Sequence, residues 1–214
     1  MTTPDLPHLV DRWAEGFARS RQVAYARYGD VIEVEVDGGG RRLELVLTEP
    51  GRELLGATAA RAASAPDVWV TAFSLGRSEH PAPEGMRMRL DGEVLMSRAL
   101  VVDGPASDGV DLEVHGKRLQ AVVRAGDEVA ASGWVTVLGE HAIVDRVGTT
   151  PAHRRRGHAS RVMGALEHWA CENGARTGLL AASPEGQALY ASLGWDVTAR
   201  MTTWCGRSEA QDTP

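Results

Sequence analysis

Three consecutive arginines run into a glycine where an amphipathic helix begins, in "TTPAHRRRGHASRVMGALEHW", residues 149–169. No other stretch constrains the fold as strongly. A helix N-terminus already carries about half a positive charge, so cations are disfavoured in its first turn and anions are welcome. Arg154, Arg155 and Arg156 are tolerable there if the fold brings an anion to the same end of the helix. Free backbone N–H groups at a helix start point outward, the dipole adds to them, and arginines supply charge and donors. Gly157 leaves out the side chain that would hold a phosphate away from the backbone, and Ala159 is the next smallest choice. The feature therefore calls for a strand, a loop and a helix in that order, with the helix end exposed.

The flanking sequence supplies both partners. "RLQAVVRA", "DEVAASGWVTVL" and "HAIVDRVGTT" are separated by Gly126-Asp127 and Gly139-Glu140, which predicts a three-stranded antiparallel meander from about residue 117. The helix is predicted from about Gly157 to Asn173, with Val162, Leu166 and Trp169 on one face and Asn173-Gly174 as the stop. "TGLLAAS" reads as a short buried strand, "PEGQALYASLG" as a second helix and "WDVTARMTTW" as a last strand. Neither G-x-x-x-x-G-K-[ST] nor a G-x-G-x-x-G between strand and helix occurs, so the known phosphate-loop fingerprints do not account for the arginines.

Upstream, residues 8–27 read as a helix with Leu9, Val10, Trp13 and Phe17 on one stripe. "VIEVEVDGGGRRLELVL" alternates with period two on both sides of its glycines and reads as a hairpin. A short Ala-rich helix ("GRELLGATAARAASA") and a buried strand ("DVWVTAF") follow. "GRSEHPAPEG", 76–85, is the best candidate boundary. "MRMRL" and "EVLMSRALVV" read as two strands, and "GPASDG" as a loop.

The pattern Arg154-x-x-Gly157-x-Ala159, behind an apolar strand and opening a helix, resembles the acetyl-coenzyme A loop of the GNAT acetyltransferase superfamily. "ALYASLGW", residues 188–195, is similar to that family's A-x-x-[LF]-Y-x-x-x-G-[FW] element. The similarity spans roughly residues 118 to 200. It implies a GNAT-like acyltransferase fold, α/β in the mixed α+β sense, with a mostly antiparallel sheet flanked by helices. The expected organisation is an N-terminal α+β subdomain, 1–85, of unknown role, the GNAT-like domain, 86–207, and a disordered tail, 208–214. Residues 1–85 carry no recognisable motif; a reduced second acetyltransferase-like unit is one reading of them.

The resemblance implies transfer of an acetyl group from acetyl-coenzyme A to a primary amine by direct attack. The pyrophosphate would rest on the N–H groups from Arg155 to Ser160, through Arg156, Gly157, His158 and Ala159, with Arg154 clamping it. The pantetheine arm would pair with the strand edge at Val147, Gly148 and Thr149 like an added strand. Segments 141–149 and 177–183 would splay apart to admit it. Tyr190 matches the family's tyrosine general acid, supplying a proton near a thiolate whose ordinary pKa is about 8.5. Asp145 is the candidate base for an amine that arrives protonated; pairing with Arg146 or a loop arginine would make it structural instead. Glu140 and His141 are runners-up. Ser183 stands where relatives carry an asparagine contacting the pantetheine, and Pro184 behind it also makes it a helix cap. His153 and His158 read as solvent-facing or phosphate contacts. No metal is expected, since the histidines and cysteines lack ligand spacing.

A net charge of -6 argues against a general nucleic-acid or anionic-membrane binder. Two cysteines suit a reducing, cytoplasmic setting better than a disulfide framework. The expected partner is a small-molecule or peptide amine, such as a polyamine, an aminoglycoside, an amino acid or a lysine, and paired subunits are common in the family. The alternative is a non-catalytic acyl-coenzyme A sensor that keeps the cradle without turnover.

Overall fold

The computed structural model describes residues 5–76, 81–101 and 109–207. It divides into two compact units. The first takes residues 1–95 with 182–185 and 197–214, and the second takes 96–181 with 186–196. Both the division and the boundary drawn at 85 concern the same strand, which starts at Met86. The division falls inside that strand, ahead of Met96.

In the first unit, α1 (Leu6–Arg21) is capped by Asp5, whose side chain accepts from the His8 N–H. Val10, Trp13 and Phe17 are buried, and Trp13 stacks on Phe17 and tilts against Phe73. The helix ends six residues before the expected 27, because Gln22 takes a left-handed conformation. Residues 25–28 instead form β1 (Tyr25–Tyr28), which pairs with β2 (Val31–Gly38). The expected helix takes in residues 25–27, which the strand claims instead. Their backbone groups have a better partner across the Gly29 turn, and the Tyr25 hydroxyl donates to Asp11 on α1. β2 and β3 (Arg41–Thr48) form the expected hairpin, α2 (Arg52–Ala62) follows, and β4 (Val68–Ser74) runs parallel to β3. Leu45, Leu47, Val70 and Ala72 meet Leu55, Ala59 and Ala62 of α2 in one apolar layer.

β5 (Met86–Ala99) is a single strand where two were expected. Gly92 lets it bend without ending: φ is +78° there, and its N–H bonds back to the Asp91 carboxylate. The strand order in the first unit is β1-β2-β3-β4-β11-β5, with β11 (Asp196–Gly206) antiparallel to β4. The expected loop at 104–109 lies almost wholly outside the described residues, as does the tail at 208–214.

The second unit orders its strands β5-β10-β9-β8-β7-β6. β6 (Asp111–His115) was not anticipated; it forms an exposed edge hairpin with β7 (Arg118–Ala125) through Gly116. β8 (Glu128–Leu138) and β9 (His141–Thr149) complete the meander. α3 (His158–Glu172) then leads to β10 (Thr177–Ala182), parallel to β9, and α4 (Pro184–Ser192) follows. Gly133 sets the approach of α3 to the sheet. A Cβ there would come within 2.9 Å of Val147 and Val162 and 3.1 Å of Leu166. The C-terminal half of α3 is anchored by Glu167, which accepts from the Trp195 indole at 2.9 Å and Arg98 at 2.7 Å.

The two units repeat one layout: an antiparallel meander, a turn, a helix, and a strand parallel to the last strand of the meander. They differ where it matters for a ligand. β3 and β4 stay paired from Leu43 and Val68 to Thr48 and Phe73. The β9–β10 ladder covers His141–Ile143 against Thr177–Leu179; past Leu179 and Ile143 the two strands run on without pairing.

Candidate active site

The site grows from the end of β9. Thr150 pins the strand end, its N–H bonding the Ala130 carbonyl at 2.9 Å and its hydroxyl the same oxygen at 3.2 Å. A 3-10 turn, Pro151–His153, lifts the chain away, and Arg155 and Gly157 both take left-handed conformations, with φ +62° and +77°. α3 begins without a side-chain cap and without an acidic residue in its first turn. Its first bond runs from the Arg161 N–H to the Gly157 carbonyl at 3.2 Å. Helix geometry therefore leaves the N–H groups of His158, Ala159 and Ser160 without intrahelical acceptors.

Arg154, Arg155 and Arg156 are exposed, and among the described residues none of them meets a carboxylate. Arg154 reaches back toward the Thr149 carbonyl at 3.5 Å. A Cβ on Gly157 would touch nothing within 4 Å. The loop is open and cationic, with backbone donors at its base, which suits a polyanion. His153 and His158 are half-buried rather than solvent-facing, with ring centroids 6.1 Å apart and His153 3.4 Å from Glu128.

Tyr190 is 8% exposed on α4, with its ring 6.4 Å from that of Trp195. Burial pushes its hydroxyl pKa up to about 12, and the negative charge of Asp145 adds to the rise. The structure thus brings these two residues into electrostatic reach. Asp145 is partly buried and pairs with Arg146, whose Nε lies 3.3 Å away. The pairing of Asp145 opposite Trp134 borders a β-bulge, across which the β8–β9 register shifts. Arg146 in the bulge is left-handed, with φ +55°, a strained conformation for a bulky side chain. Val147, Gly148 and Thr149 form the partly exposed stretch of β9 beyond its ladder with β10.

Two of the sequence candidates lie at the other end of β9. His141 starts β9, four residues and roughly 13 Å of strand from Asp145, and Glu140 precedes it. Ser183 belongs to the first unit and is exposed, its hydroxyl bonding Glu185, which helps hold that carboxyl below its ordinary value. A hollow of about 400 Å³ in the first unit, lined by Gly40, Trp69, Arg87, Arg89 and Cys205 among others, sits at the N-terminal ends of β3 and β4 and is separate from the arginine loop. Sequence reasoning missed Trp134 and its cationic neighbours. The alternation of β8 puts Trp134 and Thr136 on one face, but nothing local announces a left-handed arginine in the bulge next to Asp145.

Residues 102–195 match the model of the acetyltransferase (GNAT) family. That stretch, a little under half of the chain, is similar to a GNAT acetyltransferase domain. Similar solved structures include a GCN5-related N-acetyltransferase from Kribbella flavida, 17% identical, with a TM-score of 0.67, covering 98% of each chain. A protein assigned to the GNAT family from Novosphingobium aromaticivorans is 18% identical, with a TM-score of 0.63, covering 97% of this chain and all of the other. At these identities the likeness extends the fold, and the fold alone, to the whole chain. No curated protein sequence matches this one. Among the described residues no group of three His, Cys, Asp or Glu side chains could hold a metal ion, and no helix is long and apolar enough to cross a membrane.

Proposed function

We propose that the chain is an N-acetyltransferase that moves an acetyl group from acetyl-coenzyme A to a primary amine. The observation that carries this reading is the uncapped start of α3, where three arginines that meet no carboxylate among the described residues and three backbone N–H groups surround a glycine with open space above it. The interrupted β9–β10 ladder supports it, because an extended amide chain can use the strand edge from Val147 to Thr149. When bound, acetyl-coenzyme A supplies a thioester carbonyl and a thiol leaving group.

The chain's own residues then have distinct tasks. Arg154, Arg155, Arg156, His158, Ala159 and Ser160 hold the pyrophosphate by charge and by N–H donors. Asp145 draws the ammonium toward it and takes its proton, so that the neutral nitrogen can attack. Tyr190 offers its O–H to the departing sulfur. With a pKa near 12, it keeps its proton. Full transfer to a thiolate of pKa about 8.5 would be uphill by about 5 kcal/mol, so Tyr190 serves as a hydrogen-bond donor and the thiol's proton comes from the amine.

A thiol-release assay against amine classes tests the reading, together with calorimetric titration by acetyl-coenzyme A. Binding with turnover supports it, and absence of both removes it. One observation favours a second reading, a non-catalytic acyl-coenzyme A sensor: Asp145 is already engaged by Arg146. Tight cofactor binding with turnover indifferent to Tyr190→Phe and Asp145→Asn would favour the sensor.

A further inference from the structure

The sheet face opposite α3 carries a cluster of which the transfer chemistry uses only Asp145. Gly133 faces Val162 and Leu166 of α3, so its neighbour Trp134 points to the other side. Trp134 is half-buried, and two guanidiniums and an imidazole converge on its ring. The Arg146 guanidinium stands 4.8 Å from the ring centre, that of Arg118 5.6 Å, and the His115 ring stacks at 5.5 Å. Gln120 and Asp145 are the cross-strand partners of Trp134 on β7 and β9. Two carboxylates belong to the group: Asp145, against Arg146, and Glu113, 3.1 Å from His115. The strained residue of the site, Arg146, is therefore the one that joins the aromatic platform to Asp145.

We infer that this face binds an acceptor carrying a carboxylate close to its amine, with Trp134 as platform and Arg146 and Arg118 as the carboxylate's partners. The inference rests on the proposed transferase reading and narrows its acceptor. Stacking engages the flat face of a guanidinium, whose N–H donors lie in its plane and match a carboxylate edge. A carboxylate on Arg146 leaves the same molecule's ammonium beside Asp145, the group whose charge is felt by Tyr190. A polyamine would instead set its further positive charges against two guanidiniums. Among the amines expected from the sequence, this face selects a zwitterionic one.

The test compares matched pairs: lysine with cadaverine, phenylalanine with phenethylamine, and leucine with isopentylamine. Thiol release should favour the carboxylated member of at least one pair by 10-fold or more in kcat/KM. Arg146→Gln and Arg118→Gln should erase that preference, chiefly by raising KM for the carboxylated member. Equal or reversed preference in every pair overturns the inference. Calorimetric titration with the same pairs, on the free protein and on its complex with coenzyme A, reads binding without turnover. If acetyl-coenzyme A binds but no pair is discriminated in either measurement, the inference falls and the cradle stands. If acetyl-coenzyme A does not bind, the transferase reading falls, and titration of the free protein still decides whether this face takes a carboxylate.

Discussion

At the scale of single residues, Gly157 and Tyr190 make the sharpest claims. Gly157 combines a left-handed backbone with empty space above it. Gly157→Ala should cost about 1 kcal/mol of stability from backbone strain, read as a small drop in Tm. Gly157→Glu adds bulk and negative charge at the anion site, and calorimetry should show at least 100-fold weaker acetyl-coenzyme A binding by a protein that remains folded. Tyr190 leads to a spectroscopic prediction. The difference between wild-type and Tyr190→Phe absorbance at 295 nm should titrate near pH 12. In Asp145→Asn that midpoint should fall, yet stay above 10, because burial is the larger cause. The sign for stability follows: a folded-state pKa raised from 10 to about 12 stabilises fully below pH 10, and that contribution is lost as pH rises through about 12. Tyr190→Phe should lower kcat by about 10²-fold or more with acetyl-coenzyme A affinity retained; an unchanged kcat would remove the donor role.

Among elements, α3 and its loop are legible in the sequence because everything that defines them is contiguous: apolar spacing, three cations, a glycine, and Asn173-Gly174 as the stop. The Trp134 face is not, because it is assembled from residues 115, 118, 134 and 146 on four strands, and its key feature is a backbone angle at Arg146. β1 is not legible either: the expected helix runs on to 27, while the pairing of Tyr25 and Tyr28 with Val34 and Val31 depends on the Gly29 turn. The β9–β10 opening is a property of where a ladder stops, and an apolar pattern carries no such information. The seat of α3 on the sheet gives a prediction at this level. Gly133→Ala places a methyl where Val147, Val162 and Leu166 already stand, which should cost about 1–3 kcal/mol in chemical denaturation. Gly126→Ala, with nothing near its Cβ, should lose only the cost of its left-handed turn.

For the molecule as a whole, the repeated layout raises the number of ligands to be expected. Each unit has a parallel strand pair joined through a helix, yet the first joins β3 to α2 through residues 49–51 alone and keeps β3 and β4 paired throughout. Nothing in that turn matches the arginines of 154–156. Calorimetry should therefore return one acetyl-coenzyme A per chain, and a stoichiometry of two would contradict the assignment of the first unit as closed. That closed pair has a consequence for how the chain can vary. Because β3 and β4 stay paired throughout, changes at Glu49, Pro50 and Gly51 bear on folding, whereas the matching positions after β9 would, on the proposed reading, answer to a nucleotide as well. The repeated layout would then separate those two obligations, so random substitution should be forgiven more readily after β3 than after β9.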